Sequence, residues 1–581
     1  MRNTYLQMCD YGSRFRILKG GKISLVVSAF IAGTTLLRAA PSGGAVTAGN
    51  ASIVQSGSVT NITQTTQKAA INWQNFSIGA TETVNFNQPN ISAVTLNRVV
   101  GNEKSIIDGA LNANGQVFIL NSNGVLFSKN ASVNTAGLIA TTMNLSDTDF
   151  MNGNYNFKGD STASIINQGT ITISDSGYAA LFGKEVINEG FIKATLGKVE
   201  LVGAKEVTLN LNGNSLVNLK VDKGVLDALV ENKGALYADG GEVYLTTNAV
   251  DELLKGVVNN TGIVEANSIE DITGKIELFA HGGEADVSGT LHAKDGFVET
   301  SGQVLHVSKD VSIEAKEWLL DPTDITITNG GGTDIGGSSM DADVITTALN
   351  GGASVTLSAD ADITVNEAIS WSSNKKLTLT AGDEIYVNAA ISNTNLSAGG
   401  VYFQTSHAQN KVIFGGSGNV AIYNPEQLQW VNTALKGKYT LGSNIDMTGI
   451  TFVPIGPSHS ADAFSGFFDG LNHTISNLTI TAPTSDYKGL FGYAYDPTIQ
   501  NIGLVNVSIT GQDYVGGLVG ASVSTGYVNN CYVTGTGTVT GRDYTGGLIG
   551  YQSSNGTSTH NYSTVSVSGR GGRWRLGRLQ C

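Results

Sequence analysis

Four short units constrain the fold of this chain more than any other feature: SIINQGTITIS around Asn167, EVINEGFIKA around Asn188, LVENKGALYA around Asn232 and VVNNTGIVEA around Asn260. Each reads apolar-apolar-Asn-x-Gly-apolar-x-Ala or Ser. Asn and Gly turn a chain, and the flanking apolar runs have the length and residue types of strands. Asn167 and Asn188 are one short coil apart (188 − 167 = 21 residues). No unit of this size can bury its apolar face alone. Stacked in parallel and in register, such units make one continuous core, so the reading is a solenoid. Asn side chains at equivalent turns are then expected to stack into a ladder of amide hydrogen bonds.

The rest of the 581 residues is consistent with this. Gly is abundant (73), Pro scarce (8) and charged residues only 14%, which suits strands and turns and starves helices. An elongated repeat escapes the size limit of a compact domain. The net charge of −14 leaves no basic surface for nucleic acid or anionic lipid. Of three cysteines only Cys531 lies within the body of the chain, so no internal disulfide is expected there.

Residues 1–40 read as an extended secretory signal. Arg2, Arg14, Arg16, Lys19 and Lys22 precede an apolar run from Ile23 to Leu37, then Arg38-Ala39-Ala40-Pro41, with cleavage expected after Ala39 or Ala40. The run falls short of the roughly 20 residues that a membrane-spanning helix needs.

The stretch from Trp73 to Phe127 reads WQNFSIGATETVNFNQPN, TLNRVVG and SIIDGALNANGQVFILNSNGVLF. It contains strand-like runs at Thr83–Phe86, Val94–Leu96, Gln116–Leu120 and Val125–Phe127. In content and order it resembles the secretion domain of two-partner secretion exoproteins of Gram-negative bacteria, the filamentous-haemagglutinin and high-molecular-weight adhesin type. The resemblance implies an all-β protein, a right-handed parallel β-helix with an N-terminal capping region that opens at Ala45. It makes Trp73 and Phe76 capping and core residues. It also makes Asn97, Arg98 and the turn Asn121-Ser122-Asn123-Gly124 candidates for the secretion motif. Where the family usually carries Asn-Pro-Asn-Gly, Ser122 replaces the proline, which removes a φ restriction but leaves a turn sequence intact. The partners implied are an outer-membrane barrel transporter with periplasmic receptor domains and a host or neighbouring cell-surface receptor or glycan.

Five regions follow: the signal (1–40), the secretion domain (41–300), a β-helix continuation (301–420), a repeat module (421–568) and a tail (569–581). The continuation includes EWLLDPTDITI at Glu317–Ile327, which resembles a sequence found in large adhesins of the same family, and a glycine-rich hinge from Gly330 to Gly337. Asp321-Pro322 reads as a turn rather than as half of a carboxylate pair with Asp324. A short amphipathic helix is expected around Pro425–Asn432. In the repeat module Tyr487-Lys488-Gly489-Leu490-Phe491-Gly492 recurs as Tyr514–Gly520 and Tyr544–Gly550. These resemble the GLUG repeat of bacterial surface proteins, with Gly489, Gly492, Gly516, Gly517, Gly520, Gly546, Gly547 and Gly550 allowing close backbone approach and Leu490, Leu518 and Leu548 stacking inside. After Gly569, where another unit is due, the text becomes RGGRWRLGRLQC. Codons for Arg573–Leu579 read one base later are compatible with Val-Gly-Gly-Leu-Val-Gly. A frameshift and a truncated adhesin are therefore expected, and sequencing the locus would decide it.

No nucleophile elbow, zinc helix or cysteine cluster is present, and His281, His292, His407, His473 and His560 lack ligand spacing. No metal, no cofactor and no enzyme activity is expected. Asp360 with Asp362, or Glu265 with Glu277, are the carboxylates on which a carbohydrate-processing β-helix would have to rely. Asn61, Asn144, Asn477 and Asn561 stand in Asn-x-Ser/Thr sequences open to glycosylation. The leading functional expectation is a secreted, surface-associated adhesin. The alternatives are the delivery stalk of a contact-dependent toxin or haemolysin and, last, the β-helix enzyme.

Overall fold

A computed structural model describes residues 40–248, 256–329, 338–406, 411–459 and 462–569. The signal up to residue 39, the glycine-rich hinge at 330–337, His407 and the tail from 570 lie outside the described residues. The rest belongs to the compact unit Ala39–Cys581 and is a parallel β-helix.

Rungs stack in register over long distances. Ile165 pairs with Val186, Val186 with Val230, Val230 with Val258, Val258 with Ala285 and Ala285 with Leu305. On another face Leu181, Leu201, Leu245 and Leu278 form a column that passes through Thr300 to Leu320, Leu357, Leu379 and Phe403. Alternate residues of each strand point inward, and all of these side chains are buried. One apolar core cluster runs from Ile62 to Val565 across the boundaries drawn from the sequence at 300 and 420. The buried Thr300 is explained by Trp318 of the EWLLDP segment, whose Nε1 donates to Thr300 Oγ1 at 3.1 Å. The chain then turns at Pro322 between the strands Ser312–Asp321 and Ile325–Thr328, as expected.

The Asn ladder is present. Asn167 Nδ2 donates to Asn188 Oδ1, Asn188 Nδ2 to Asn232 Oδ1 and Asn232 Nδ2 to Asn260 Oδ1, each at 2.8 Å, and Asn260 Nδ2 ends on Ser288 O at 2.7 Å. All four Asn are buried. A second, outward-facing ladder joins Asn61, Asn85, Asn112 and Asn134 at 3.0, 3.1 and 3.3 Å.

At the N-terminal end the pattern changes to antiparallel pairs, Ala45–Ala48 with Lys68–Trp73 and Ala51–Ser56 with Val59–Gln64. These strands occupy the edge that the first parallel rung would otherwise leave open.

The repeat pattern did not reveal a second layer outside the helix. Strands Tyr155–Lys158, Glu206–Asn212 and Ser215–Lys223 form an antiparallel sheet, and α1 (Asp147–Asn152) packs beside it. Together they cover Ala70, Leu96, Phe118, Ile139, Ala180 and Val202 with Phe150, Tyr155, Phe157 and Leu209, making a second apolar core. Strand Gln116–Leu120 is therefore buried on both faces. Lys68 fastens this layer: its Nζ donates to Phe150 O at 2.8 Å and Met151 O at 3.2 Å, and lies 5.0 Å from the Tyr155 ring centre. Lys68→Met is expected to lose about 1–2 kcal/mol from this layer, read as faster amide exchange across 147–158 with the distant rungs unchanged.

Two further helices interrupt the coil. The expected one forms as α3 (Pro425–Trp430), with Asn424 Oδ1 capping the Gln427 amide at 2.9 Å. α2 (Ala342–Asn350) was not expected, because residues 341–414 read as β-helix text throughout. Val344, Ile345, Thr346 and Thr347 favour strands, but Val344, Ile345, Ala348 and Leu349 lie on one helical face and all four are buried. Burial and the Asp341 cap override local propensity here.

Candidate functional site

The candidate secretion-motif residues lie at one corner of three successive rungs. Strand Lys68–Trp73 pairs with Val94–Val99, and that strand pairs with Gln116–Leu120, which leads into the turn Asn121–Gly124. Trp73 is buried, with its ring centre 5.4 Å from that of Phe76, also buried. Its Nε1 donates to Asn97 Oδ1 at 3.0 Å, and Asn97 Nδ2 contacts the carbonyls of Thr95 and Phe118, both at 3.3 Å. Asn97 is fully enclosed and satisfies the one polar atom of a buried indole.

Arg98 points the other way and ties down the start of the outer layer. Its Nε donates to Asn144 Oδ1 at 2.9 Å, its Nη1 to Asn72 Oδ1 at 2.9 Å and its Nη2 to Leu145 O, and Nη1 forms an ion pair with Asp147 Oδ1 at 2.8 Å. Nothing in the sequence signals that Asn144, Leu145 and Asp147 meet Arg98, because these partners are almost fifty residues away.

The turn is held from within. Asn121 Nδ2 donates to Glu103 O and Ser105 Oγ at 3.0 Å each, and its Oδ1 accepts from the Asn123 amide at 2.9 Å. Asn123 Nδ2 donates to Gly101 O at 3.0 Å. Gly124 has φ +98°, and a Cβ there would stand 2.9 Å from Ser164 O, so glycine is required. Ser122 is the exposed member, and its carbonyl accepts from Ser161 Oγ at 2.6 Å. The serine thus occupies the outermost position of a turn whose bonds are made by its neighbours. Folded, this corner shows solvent Gln74, Val100, Glu103 and Ser122, while Asn97 and Asn121 are enclosed.

In the repeat module Leu490, Leu518 and Leu548 are all buried. The glycines form a close-packed column: a Cβ on Gly520 would lie 2.6 Å from Gly492 O and one on Gly550 2.6 Å from Gly520 O. A Cβ on Gly489 would lie 2.8 Å from Phe491 O, one on Gly516 2.1 Å from Val519 O, and one on Gly517 2.5 Å from Gly547 O. Gly516 pairs in register with Gly546. Tyr487, Tyr514 and Tyr544, each at a left-handed φ of 50–57°, stack with ring centres 5.0 and 4.8 Å apart. Cys531 is buried among these coils, and burial pushes its thiol up to about 12, which makes it inert packing.

Of the carboxylates considered for catalysis, Asp362 is engaged, and Glu265 and Glu277 stand on different rows. Asp362 Oδ1 accepts from the Glu384 amide at 2.9 Å and Asp324 Oδ1 from the Asp362 amide at 3.2 Å, so both act as rung caps. Glu265 stands in register with Tyr237 and His292, whereas Glu277 stands with Tyr244 and Glu299 and pairs with Lys275 at 2.7 Å.

A capped parallel β-helix whose first coils carry this corner defines a class of β-solenoids. Residues 37–293 match the family model of the TPS secretion domain. The heme/hemopexin-binding protein of Haemophilus influenzae strain ATCC 51907 / DSM 11121 / KW20 / Rd is 32% identical over 268 residues, covering 44% of this chain and 29% of that protein. A second heme/hemopexin-binding protein from the same species is 29% identical over 279 residues, covering 41% of this chain and 30% of its own length. The solved HMW1 secretion domain from Haemophilus influenzae superposes with a TM-score of 0.46 at 23% identity, covering 65% of this chain and 98% of that one. The matches thus span less than a third of either curated relative. Residues 37–293 are thus similar to the secretion domain of two-partner secretion exoproteins.

Proposed function

We propose that this chain is passed across the outer membrane of a Gram-negative cell by a barrel transporter that reads its secretion domain, and that the exported solenoid is an adhesin for cell surfaces. The observation that carries the reading is the secretion-domain match over residues 37–293, followed by further coils on the same core. The enclosure of Asn97 and Asn121 adds a detail. If these residues contribute to recognition, the transporter meets them before the corner folds, in the periplasm, and folding outside the cell then buries them and opposes return. The long sides of the solenoid suit many weak contacts rather than one pocket. The repeat module with its GLUG-like units extends that side.

The test is to express residues 1–581 in a Gram-negative host with and without a cognate transporter and to measure the chain in the medium. Release that needs the transporter, and that falls when Asn121→Ala is introduced, is the expected result. Release that is equal with and without the transporter overturns the reading.

A second ligand reading is favoured by the names of the two relatives, each a heme/hemopexin-binding protein. Exported chain that captures heme or hemopexin from solution and does not adhere to cells would replace the adhesin by a scavenger. A toxin stalk would be favoured instead if the shifted frame past Gly569 encodes a compact, non-repetitive domain.

A further inference from the structure

Glu284 and Asp286 are two residues apart in the strand Lys275–Val287, so both side chains leave the same outer face while Ala285 and Val287 enter the core. One rung later His306 stands in register with Asp286. Adjacent strands are about 4.8 Å apart, and the three side chains converge: one ligand atom from each lies within 4.8 Å of the others. We propose that Glu284, Asp286 and His306 form a binding site for a divalent transition-metal ion of the zinc type.

Three observations support this. The pair Glu284 Oε1 and His306 Nε2 is 3.2 Å apart. Two ligands of one tetrahedral zinc ion with bonds of about 2.1 Å stand about 3.4 Å apart, so the pair needs almost no movement to share an ion. The donor set of two carboxylates and one imidazole suits a borderline cation and leaves a fourth position for water or a ligand. Finally, the patch sets two carboxylates beside one imidazole on a face whose preceding row holds an amide. Asp286 pairs in register with the neutral Asn259, whose Nδ2 donates to Glu231 Oε1 at 3.0 Å, and Lys233 is held by Glu231 at 2.5 Å.

His292 provides the contrast. Its Nε2 meets Ser312 Oγ at 3.0 Å, and its Nδ1 lies 4.0 Å from a single carboxylate, Glu314. That is an ordinary surface contact. The site would bridge two rungs at the distal end of the secretion domain, and an ion taken up outside the cell would fasten them after export.

The experiment uses the exported, untagged full chain after dialysis against a chelator, titrated with Zn2+ by calorimetry. One ion per chain is expected. Glu284→Gln and Asp286→Asn, which keep side-chain size, and His306→Ala should each weaken binding at least about tenfold, a loss that even outer-shell changes can produce. His292→Ala should leave it unchanged, and Zn2+ should raise the melting temperature of wild type but not of Asp286→Asn. Absence of saturable binding, or binding that survives all three variants, overturns the site.

Discussion

Asn232→Ala is expected to destabilise the rungs from Asn188 to Ile263 by about 3 kcal/mol. Asn232 sits mid-ladder: its Oδ1 accepts from Asn188 at 2.8 Å, and its Nδ2 donates to Asn260 Oδ1 at 2.8 Å and approaches Ile263 O at 3.3 Å. Truncation removes a donor and an acceptor at once, in a place where water does not reach. Asn260 Oδ1 then loses its neighbour, and Asn188 Nδ2 keeps only its longer contact with Gly190 O at 3.3 Å. Each buried polar group left unpaired costs about 1–3 kcal/mol, and amides in a chain polarise one another, so a mid-ladder loss exceeds a terminal one. Asn232→Asp should be worse, because a second carboxylate oxygen would face Asn260 Oδ1 and Ile263 O. The comparison is Asn112→Ala in the outer ladder, where solvent can replace the amide and the loss should stay below about 1 kcal/mol. Solenoids need not unfold in one step, so the measurement is amide exchange resolved along the chain. Equal protection changes for Asn232→Ala and Asn112→Ala would contradict the ladder's structural role.

That ladder was legible because its residues repeat at one position of a motif, and repetition converts a local pattern into a stacking rule. The same holds for Leu490, Leu518 and Leu548. The outer layer was not legible, although Glu206–Asn212 and Ser215–Lys223 look like any other strand text. Its only trace was spacing: Asn188 and Asn232 pair across the ladder but are 44 residues apart, where the preceding coil takes 21. The surplus is the excursion into the antiparallel sheet. Of the candidate secretion residues, the sequence identified a turn at Asn121–Gly124 and a core at Trp73, yet it could not say that Asn97 exists to satisfy Trp73 or that Arg98 anchors the outer layer. Those contacts join chain segments that only the coil brings together. The convergence of Glu284, Asp286 and His306 was hidden for the same reason, since a strand pair one rung apart has no fixed spacing in sequence.

The folded solenoid should lose stability as the pH rises from 5 to 8, and Glu200→Gln should remove most of that slope. Glu200 faces outward from the strand Lys198–Gly203 under the antiparallel layer, 4% exposed, with Oε2 buried and without a hydrogen-bond partner among the described residues. The lysine two residues earlier does not neutralise it. Lys198 Nζ is held by Glu242 at 2.6 Å and donates to Val217 O at 3.1 Å. Glu200 pairs in register with Tyr244, and Tyr244 with Glu277, so a further carboxylate lies beyond it on the same row. Burial raises its carboxyl from 4.5 to about 8 against the opposing pull of Lys198, and the charges of Glu242 and Glu277 add smaller pushes upward. In the unfolded chain the group titrates near its ordinary value. Between these two values the folded state binds a proton that the unfolded state has released, so folding is favoured by protons. The contribution is complete below pH 4.5 and lost as the pH passes through 8. At about 1.4 kcal/mol per unit it amounts to roughly 4 kcal/mol between pH 5 and 8. Glu299 and Asp321, both raised mainly by burial, act in the same direction, so the wild-type slope alone does not isolate Glu200. The difference between wild type and Glu200→Gln does: the neutral amide keeps the shape and cannot ionise. Denaturant stability of the exported chain, followed by exchange across 198–247 from pH 5 to 9, should show the two proteins converging toward acid and the variant pulling ahead toward base. Parallel profiles would mean that the carboxyl ionises in place with its charge compensated.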